Sequence, residues 1–348
     1  MLGRLFCLYR KELKKIVFSK IFILFFSVIL ISVIISIYFF YSTLESEPYT
    51  SSYGVIPYDD YEQLQAHLNH NEEYISELYG QLEVTADLNR RSLIQSEIRY
   101  RERLTLIYKY LQSHPEIFYS KYYDFGSLTN SGYEDNFSFF IFITTYPLIF
   151  IIVGIAVLSS LIVTSDFTNG TYKFVYTSGV SRTKIIFAKL SIIITLLFSL
   201  CLLILLVGLI FGFIQYGYDK KYLIMALYRN VFHVGISGYF FLSFLNYLSL
   251  GIFICGIIFF ISLFFKNNII SLTICALLLF LFLNGYNLFA HINEKLAIFN
   301  VFTSVNIFDV FSVEPVFYNL WKYLIISFAY FTIFATAGIF WFRKKDFC

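Results

Sequence analysis

The sequence predicts an all-α polytopic membrane protein with six transmembrane helices, an N-terminal amphipathic helix and an extracytoplasmic helical hairpin between spans 1 and 2. Three observations carry this. Apolar residues make up 58% of the chain and charged residues only 14%, against about 25% charged in a soluble domain. Uncharged apolar runs occur at 21–41, 138–163, 190–214, 239–265, 269–289 and 323–342, each at or above the ~20 residues that span a bilayer as a helix. Residues 42–137 carry a net charge of −9 while the remainder carries +12, so one region is solvated and the other is embedded with basic edges.

Residues 1–20 begin the chain as a basic amphipathic helix. Leu2, Leu5, Phe6, Tyr9, Leu13, Ile16 and Val17 keep helical spacing, while Arg4, Arg10, Lys11, Glu12, Lys14 and Lys15 supply the polar face. That pattern suits a helix lying on an anionic inner leaflet; a positive topological anchor is the plainer reading. The apolar run that follows is too long for a cleavable signal and has no small-residue cleavage site, so span 1 is taken as 21–41.

The expected orientation comes from the basic residues. With the N-terminus inside, the inner segments hold 14 Lys and Arg and the short outer segments hold 5. The excess places both termini and the 164–189 loop in the cytoplasm, and residues 42–137 outside.

Within 42–137, Tyr61, Leu64, Leu68, Ile75, Leu78 and Leu82 occupy heptad positions interrupted by Asn71. Leu93, Tyr100, Leu104, Ile107 and Leu111 repeat the pattern, interrupted by Glu97. The spacing predicts two antiparallel helices of roughly 22 residues each with a turn in 80–90, a packed stalk rather than a substrate site. Residues 113–137 are aromatic and turn-rich and suit an interfacial belt or an exit surface. Residues 215–238 and 290–318 are further outer segments, the first partly amphipathic.

The spans carry no Asp, Glu, Lys or Arg, which argues against ion-coupled carriage and voltage sensing. Asn246, Asn284 and Asn287 are the polar residues to watch in or near them, as interhelical hydrogen-bonding groups. No P-loop and no His-Glu-x-x-His or Gly-x-Ser-x-Gly pattern occurs. His67 and His70, three apart beside Glu72 and Glu73, read as a solvated face rather than a metal site. The sequons at Asn136 and Asn169 are weak. The five cysteines lie outside the large polar insert, so no disulfide staples it.

The most distinctive stretch is 164–189. Phe167, Thr171, Phe174 and Val175 share one helical face, with Asp166, Asn169, Lys173 and Thr177 on the other. Ser165 or Asp166 is expected to cap its first turn. This predicts a short helix over 166–176 at the membrane surface, with an ordinary interhelical loop as the plain alternative. The string Asp166-Phe167-Thr168-Asn169-Gly170-Thr171, then Lys173, Ser181-Arg182, Lys184 and Lys189, resembles the cytoplasmic loop of ABC-2-type transporter permeases. One departure is Gly179, where many relatives have Pro.

The resemblance implies a permease subunit with a coupling helix formed by Asp166, Phe167, Thr168, Asn169, Gly170, Thr171, Lys173 and Phe174 and braced by Arg182 and Lys184. It also implies that the N-terminal segment, with Arg10, Lys11, Glu12 and Lys14, is an elbow helix. Two copies of a cytoplasmic ABC ATPase and a second copy of the chain, or a similar permease, would complete the transporter in a bacterial plasma membrane. ATP and Mg would sit on the ATPase, with no cofactor and no catalytic or metal site on this chain and no nucleic-acid partner. The resemblance also implies export, and the uncharged, aromatic interior favours a hydrophobic or amphiphilic cargo: a peptide such as a bacteriocin, a drug-like molecule or a lipid. The rival expectation is an ATPase-coupled mechanotransmission or sensor protein that works through its outer hairpin and moves no cargo. A channel or membrane enzyme is disfavoured by the absent pore charges and catalytic clusters.

Overall fold

The computed structural model describes residues 61–116, 122–124, 148–171, 181–217, 222–227, 230–278 and 320–344, with isolated positions between 9 and 38 and at 139–140. In chain order these form α1 (Tyr61–Val84), α2 (Leu88–Ser113), β1 (Tyr122–Asp124), α3 (Leu148–Thr168), α4 (Arg182–Tyr216), β2 (Tyr222–Leu227), β3 (Asn230–Val234), α5 (Ile236–Phe265), α6 (Asn268–Leu278) and α7 (Leu320–Lys344). Four of these helices, α3, α4, α5 and α7, are long and apolar enough to cross a membrane. The elements read as span 1 and as 290–318 lie wholly or largely outside the described residues. So does most of span 5, of which α6 is the described part.

Helix α5 is the centre of the bundle. Its sequence is apolar on every side, so it must be covered on every side. It packs on α3, α4 and α7 around Leu250, Phe253, Ile254, Cys255, Ile258 and Phe259, all buried. Small residues allow the closest approaches. Gly256 lies against the Phe331 backbone of α7, and Gly338 of α7 lies near Phe260 and Leu263. Hydroxyls tie the seams: Ser249 to Ser327 at 2.8 Å between α5 and α7, and Ser262 to Ser160 at 3.3 Å between α5 and α3. Asn246, singled out in the sequence, is fully buried in α5. The residue pairings rise together along α3 and α5 and along α5 and α7, so these three run parallel. Helix α4 runs antiparallel to α5, with Leu197 against Gly251 and Phe198 against Phe244. At 35 residues, α4 is about 52 Å long, so it extends beyond the hydrocarbon layer.

The ends of these helices differ from expectation. Helix α3 continues past 163 to Thr168, and α4 begins at Arg182 rather than 190. Asp166 and Lys189 therefore lie within membrane-length helices, just beyond the charge-free apolar runs 138–163 and 190–214. Their opposite charges make that placement tolerable.

At the other end of the bundle, α1 and α2 form an antiparallel pair joined by residues 85–87. Leu64 and Leu68 meet Leu104, Ile107, Tyr108 and Leu111 near the base, and Leu78 meets Ile94 and Ile98 near the tip. The heptad interruption at Asn71 is a polar lock. Its side-chain amide donates to Arg101 O and to Thr105 Oγ1, both at 2.8 Å, and Arg101 lies over the Tyr74 ring. A buried amide satisfied across the seam fixes register. Asn71→Ala is expected to cost about 1–3 kcal/mol, because Thr105 and the Arg101 carbonyl lose their donor. Faster hydrogen exchange in α1 and α2, with the membrane helices unchanged, checks this.

One assignment in α2 is corrected. Leu93 is 69% exposed, and Ile94 and Ile98 fill the seam instead.

A second correction concerns 215–238. It contains two strands, not only an amphipathic segment. Strands β2 and β3 pair antiparallel through residues 228–229, and β1 joins β2 in parallel, with Tyr122 opposite Tyr222. This small sheet is an addition to the all-α expectation. Ile224 of β2 is buried in the hairpin's basal cluster, with Tyr222 and Val231 packed around it. Tyr110 and His233 Nδ1 share a 2.7 Å hydrogen bond, and His114 stacks on Tyr110. The hairpin is thus seated on a strand pair that follows α4 in the chain and leads, through Gly235, into α5.

The hairpin also has an alkaline-sensitive contact. Tyr79 donates to Glu102 at 2.7 Å. That bond, then burial and the carboxylate charge, raise the phenol above its ordinary 10.0. A raised folded value stabilises below the unfolded value and is lost as pH rises through the folded one. The hairpin should therefore loosen above about pH 10, and Tyr79→Phe should flatten that dependence in a circular-dichroism titration.

Candidate functional site

The site lies at the end of the bundle opposite the hairpin, where α3 stops, α4 starts, and α5 and α7 finish. Helix α3 ends because Gly170 takes a left-handed conformation, φ 67°, and donates its N–H to Phe167 O at 3.2 Å. Glycine reaches that region at no steric cost, and this is a common way to stop a helix. The predicted helix over 166–176 is therefore corrected in its first half. Asp166, Phe167 and Thr168 are the last turn of the membrane helix, and 169–171 are a turn. Residues 172–180, with Lys173 and Phe174, lie outside the described residues.

Asp166 does not cap a first turn, since it lies near the C-terminal end of α3. It is 1% exposed and sits in the last turn of α3. Its carboxylate pairs with Lys189 Nζ at 2.7 Å. Lys189 is 2% exposed and also donates to Val163 O at 3.2 Å. The pairing explains why both charges are buried: alone, each would carry a desolvation cost of several kcal/mol. Lys189, quoted in the family-like string but given no role there, is the residue that the structure brings to Asp166. Its signal was an opposite charge near the far border of the same loop.

Phe167 is half-buried. Its ring meets Phe342 of α7 edge-on at 6.1 Å, and the Lys266 ammonium lies 5.5 Å from its centroid. Lys266 itself ends α5 in a left-handed conformation, φ 57°. Phe167 thus joins the ends of α3, α5 and α7. Just beyond, Asn267 Oδ1 accepts from the N–H groups of Ile269 and Ile270 and caps α6, while Ser160 donates to Asn268 Oδ1 at 2.8 Å. At this end of the bundle, four helices are therefore laced together by side chains.

Among the described residues, the exposed part of this region is short. Thr168, Asn169, Gly170 and Thr171 are exposed, as is Ser181, while Arg182 and Lys184 are half-buried on the first turn of α4. Ser181 accepts from the Lys184 N–H through its carbonyl at 2.9 Å, beginning α4 without a side-chain cap. Of the N-terminal candidates, Arg10 and Lys14 are exposed. Lys11 and Glu12 lie outside the described residues. Tyr9 and Leu13 pack against the membrane core, and Tyr9 donates to Thr195 of α4 at 3.1 Å. The N-terminal segment is thus held to the same helix that leaves the loop. Among the described residues no group of three or more His, Cys, Asp or Glu could hold a metal.

A family model described as ABC-2 family transporter protein matches residues 6–347. No curated protein and no solved structure matches the chain. The match runs almost end to end, across the hairpin, the sheet and all the membrane helices alike. The chain therefore belongs to the ABC-2 transporter family, a membrane transport component whose membership implies an ABC ATPase partner.

Proposed function

We propose that this chain is the permease subunit of an ABC-2-type exporter, two copies of which pair with two separate cytoplasmic ATPase subunits. The supporting observation is the exposed stretch from Thr168, the last residue of α3, through the turn 169–171, on a membrane helix whose end is packed against three others. A load on that turn reaches the bundle with little slack. The ATPase would dock on this turn, on the segment carrying Lys173 and Phe174, and on the half-buried Arg182 and Lys184. The N-terminal segment, through Arg10 and Lys14, would border the same face. ATP-driven closure would then move the spans and open a path between protomers for a hydrophobic or amphiphilic cargo.

Lys173→Glu combined with Phe174→Ala is expected to reduce ATPase co-purification at least tenfold, about 1.4 kcal/mol of docking energy, with expression unchanged. Undiminished capture of the ATPase by a well-expressed double variant would overturn the docking assignment.

A second reading has its own support. The hairpin base is bonded to β2 and β3, and β3 leads through Gly235 into α5. Motion of the membrane helices would reach the hairpin, as a mechanotransmission protein requires. Cargo flux in vesicles after deletion of 61–113 separates the two: flux that persists supports export.

A further inference from the structure

Asp166 and Lys189 take no part in docking, since neither side chain reaches solvent. Nor is such a pair needed for stability. Apolar replacement of both members of a buried ion pair is often neutral, and the best-attested use of buried polar contacts is to fix register. Here the register at stake is that of α3 against α4. Much of their contact is an aliphatic seam, Ile155, Leu158 and Ile162 facing Ile193, Leu196 and Leu200. Side chains so alike resist sliding weakly. The ammonium of Lys189 supplies direction, because it grips α3 at two points one turn apart, the Asp166 carboxylate and the Val163 carbonyl. A slip of one helical turn, about 5.4 Å, would carry it away from both.

The position of the pair matters as much as its chemistry. Asp166 lies two residues before the end of α3, and Lys189 lies seven residues after the start of α4. The pair therefore closes the loop 169–181 at its neck. A push on an unpinned loop would be absorbed by relative sliding of the two helices. A pinned loop passes the push to both helices as one body.

We propose that Asp166 and Lys189 are positioning residues that lock α3 to α4, so that displacement of the intervening loop drives the two helices together. This rests on the reading of that loop as the ATPase-facing surface. The pair touches neither nucleotide nor cargo, and its effect is on coupling.

The test uses the full chain with its co-purifying ABC ATPase in lipid nanodiscs. Hydrogen exchange at 222–234, at the far end of α4, is compared with and without ATP. Asp166→Leu/Lys189→Met is expected to fold with a near-native Tm, to hold the ATPase and to hydrolyse ATP. Its ATP-dependent change in exchange should fall about tenfold, within the usual range of coupling between sites. Lys189→Arg, which keeps the charge, should retain most of the response. Three results would overturn the proposal: a full response in the apolar pair, a lost response in a well-folded Lys189→Arg, or an apolar pair that does not fold. A wild-type chain that never binds an ATPase would instead defeat the functional reading, a distinct outcome visible before any variant is made.

Discussion

Lys189→Met alone is expected to be among the most damaging single changes in the chain. It leaves the Asp166 carboxylate 1% exposed with its cation gone. Removing one partner of a buried pair costs about 3–5 kcal/mol, because the remaining charge stays desolvated and loses the ammonium that faced it. The Val163 carbonyl loses its donor as well. A fall in Tm on the order of 10 °C in detergent follows from about 2–4 °C per kcal/mol. The informative contrast is with the double apolar replacement, which removes more charge and should destabilise less. A Lys189→Met protein with the wild-type Tm would show that water reaches the carboxylate.

The second large effect is expected at Gly256. A Cβ built there would lie 2.8 Å from the Phe331 Cα, a backbone atom that cannot rotate away. Gly256→Val would force α5 and α7 apart, and overpacking of this kind costs about 1–3 kcal/mol or more. The consequence is magnified by how α7 is held. Ile325, Phe328, Ile333 and Phe340 all face outward, so α7 is held mainly by its face against α5, the most extensive helix contact in the bundle. Gly338→Ala is the control, since its nearest neighbour is the Leu263 side-chain terminus at 3.2 Å. Thermal unfolding should separate the two clearly, and equal Tm values would contradict the close packing.

Much of this arrangement was legible in the residues, and the exceptions have physical causes. The apolar runs located α3, α4, α5 and α7 because length and hydropathy alone set membrane helices. Their ends were misjudged where charge was allowed inside: Asp166 and Lys189 cancel each other, and an opposite partner 23 residues away leaves no local pattern. The heptads located α1 and α2, yet Leu93 was placed in the seam. Near its base α2 contacts β2 and β3 as well as α1, so its buried surface widens to include Leu104, Ile107 and Leu111 beside Thr105 and Tyr108. The phase read from that broad base, carried toward the tip, lands one residue from Ile94.

The helix expected over 166–176 shows a different limit. Phe167 and Thr171 keep helical spacing, but the chain between them turns at Gly170. Periodicity does not register a single residue with positive φ. The sheet was missed because its strands are short, and because β1 finds its partner a hundred positions later. The exposed turn at 168–171 was identified through resemblance to a family loop, whereas the ion pair behind it required coordinates.

The parallel pairing of Tyr122 with Tyr222 also dictates an order of events at the ribosome. Synthesis at about 5–20 residues per second means that β1 emerges roughly 5–20 s before its mate is made. In that interval α3 and α4 must be threaded into the bilayer while the root of the hairpin stays uncovered. Ile224 is the plug, and Val231 follows it into the same cluster. The seat of the hairpin is thus a late joint in biogenesis, and a chain released before residue 222 would carry an uncovered, largely aliphatic patch.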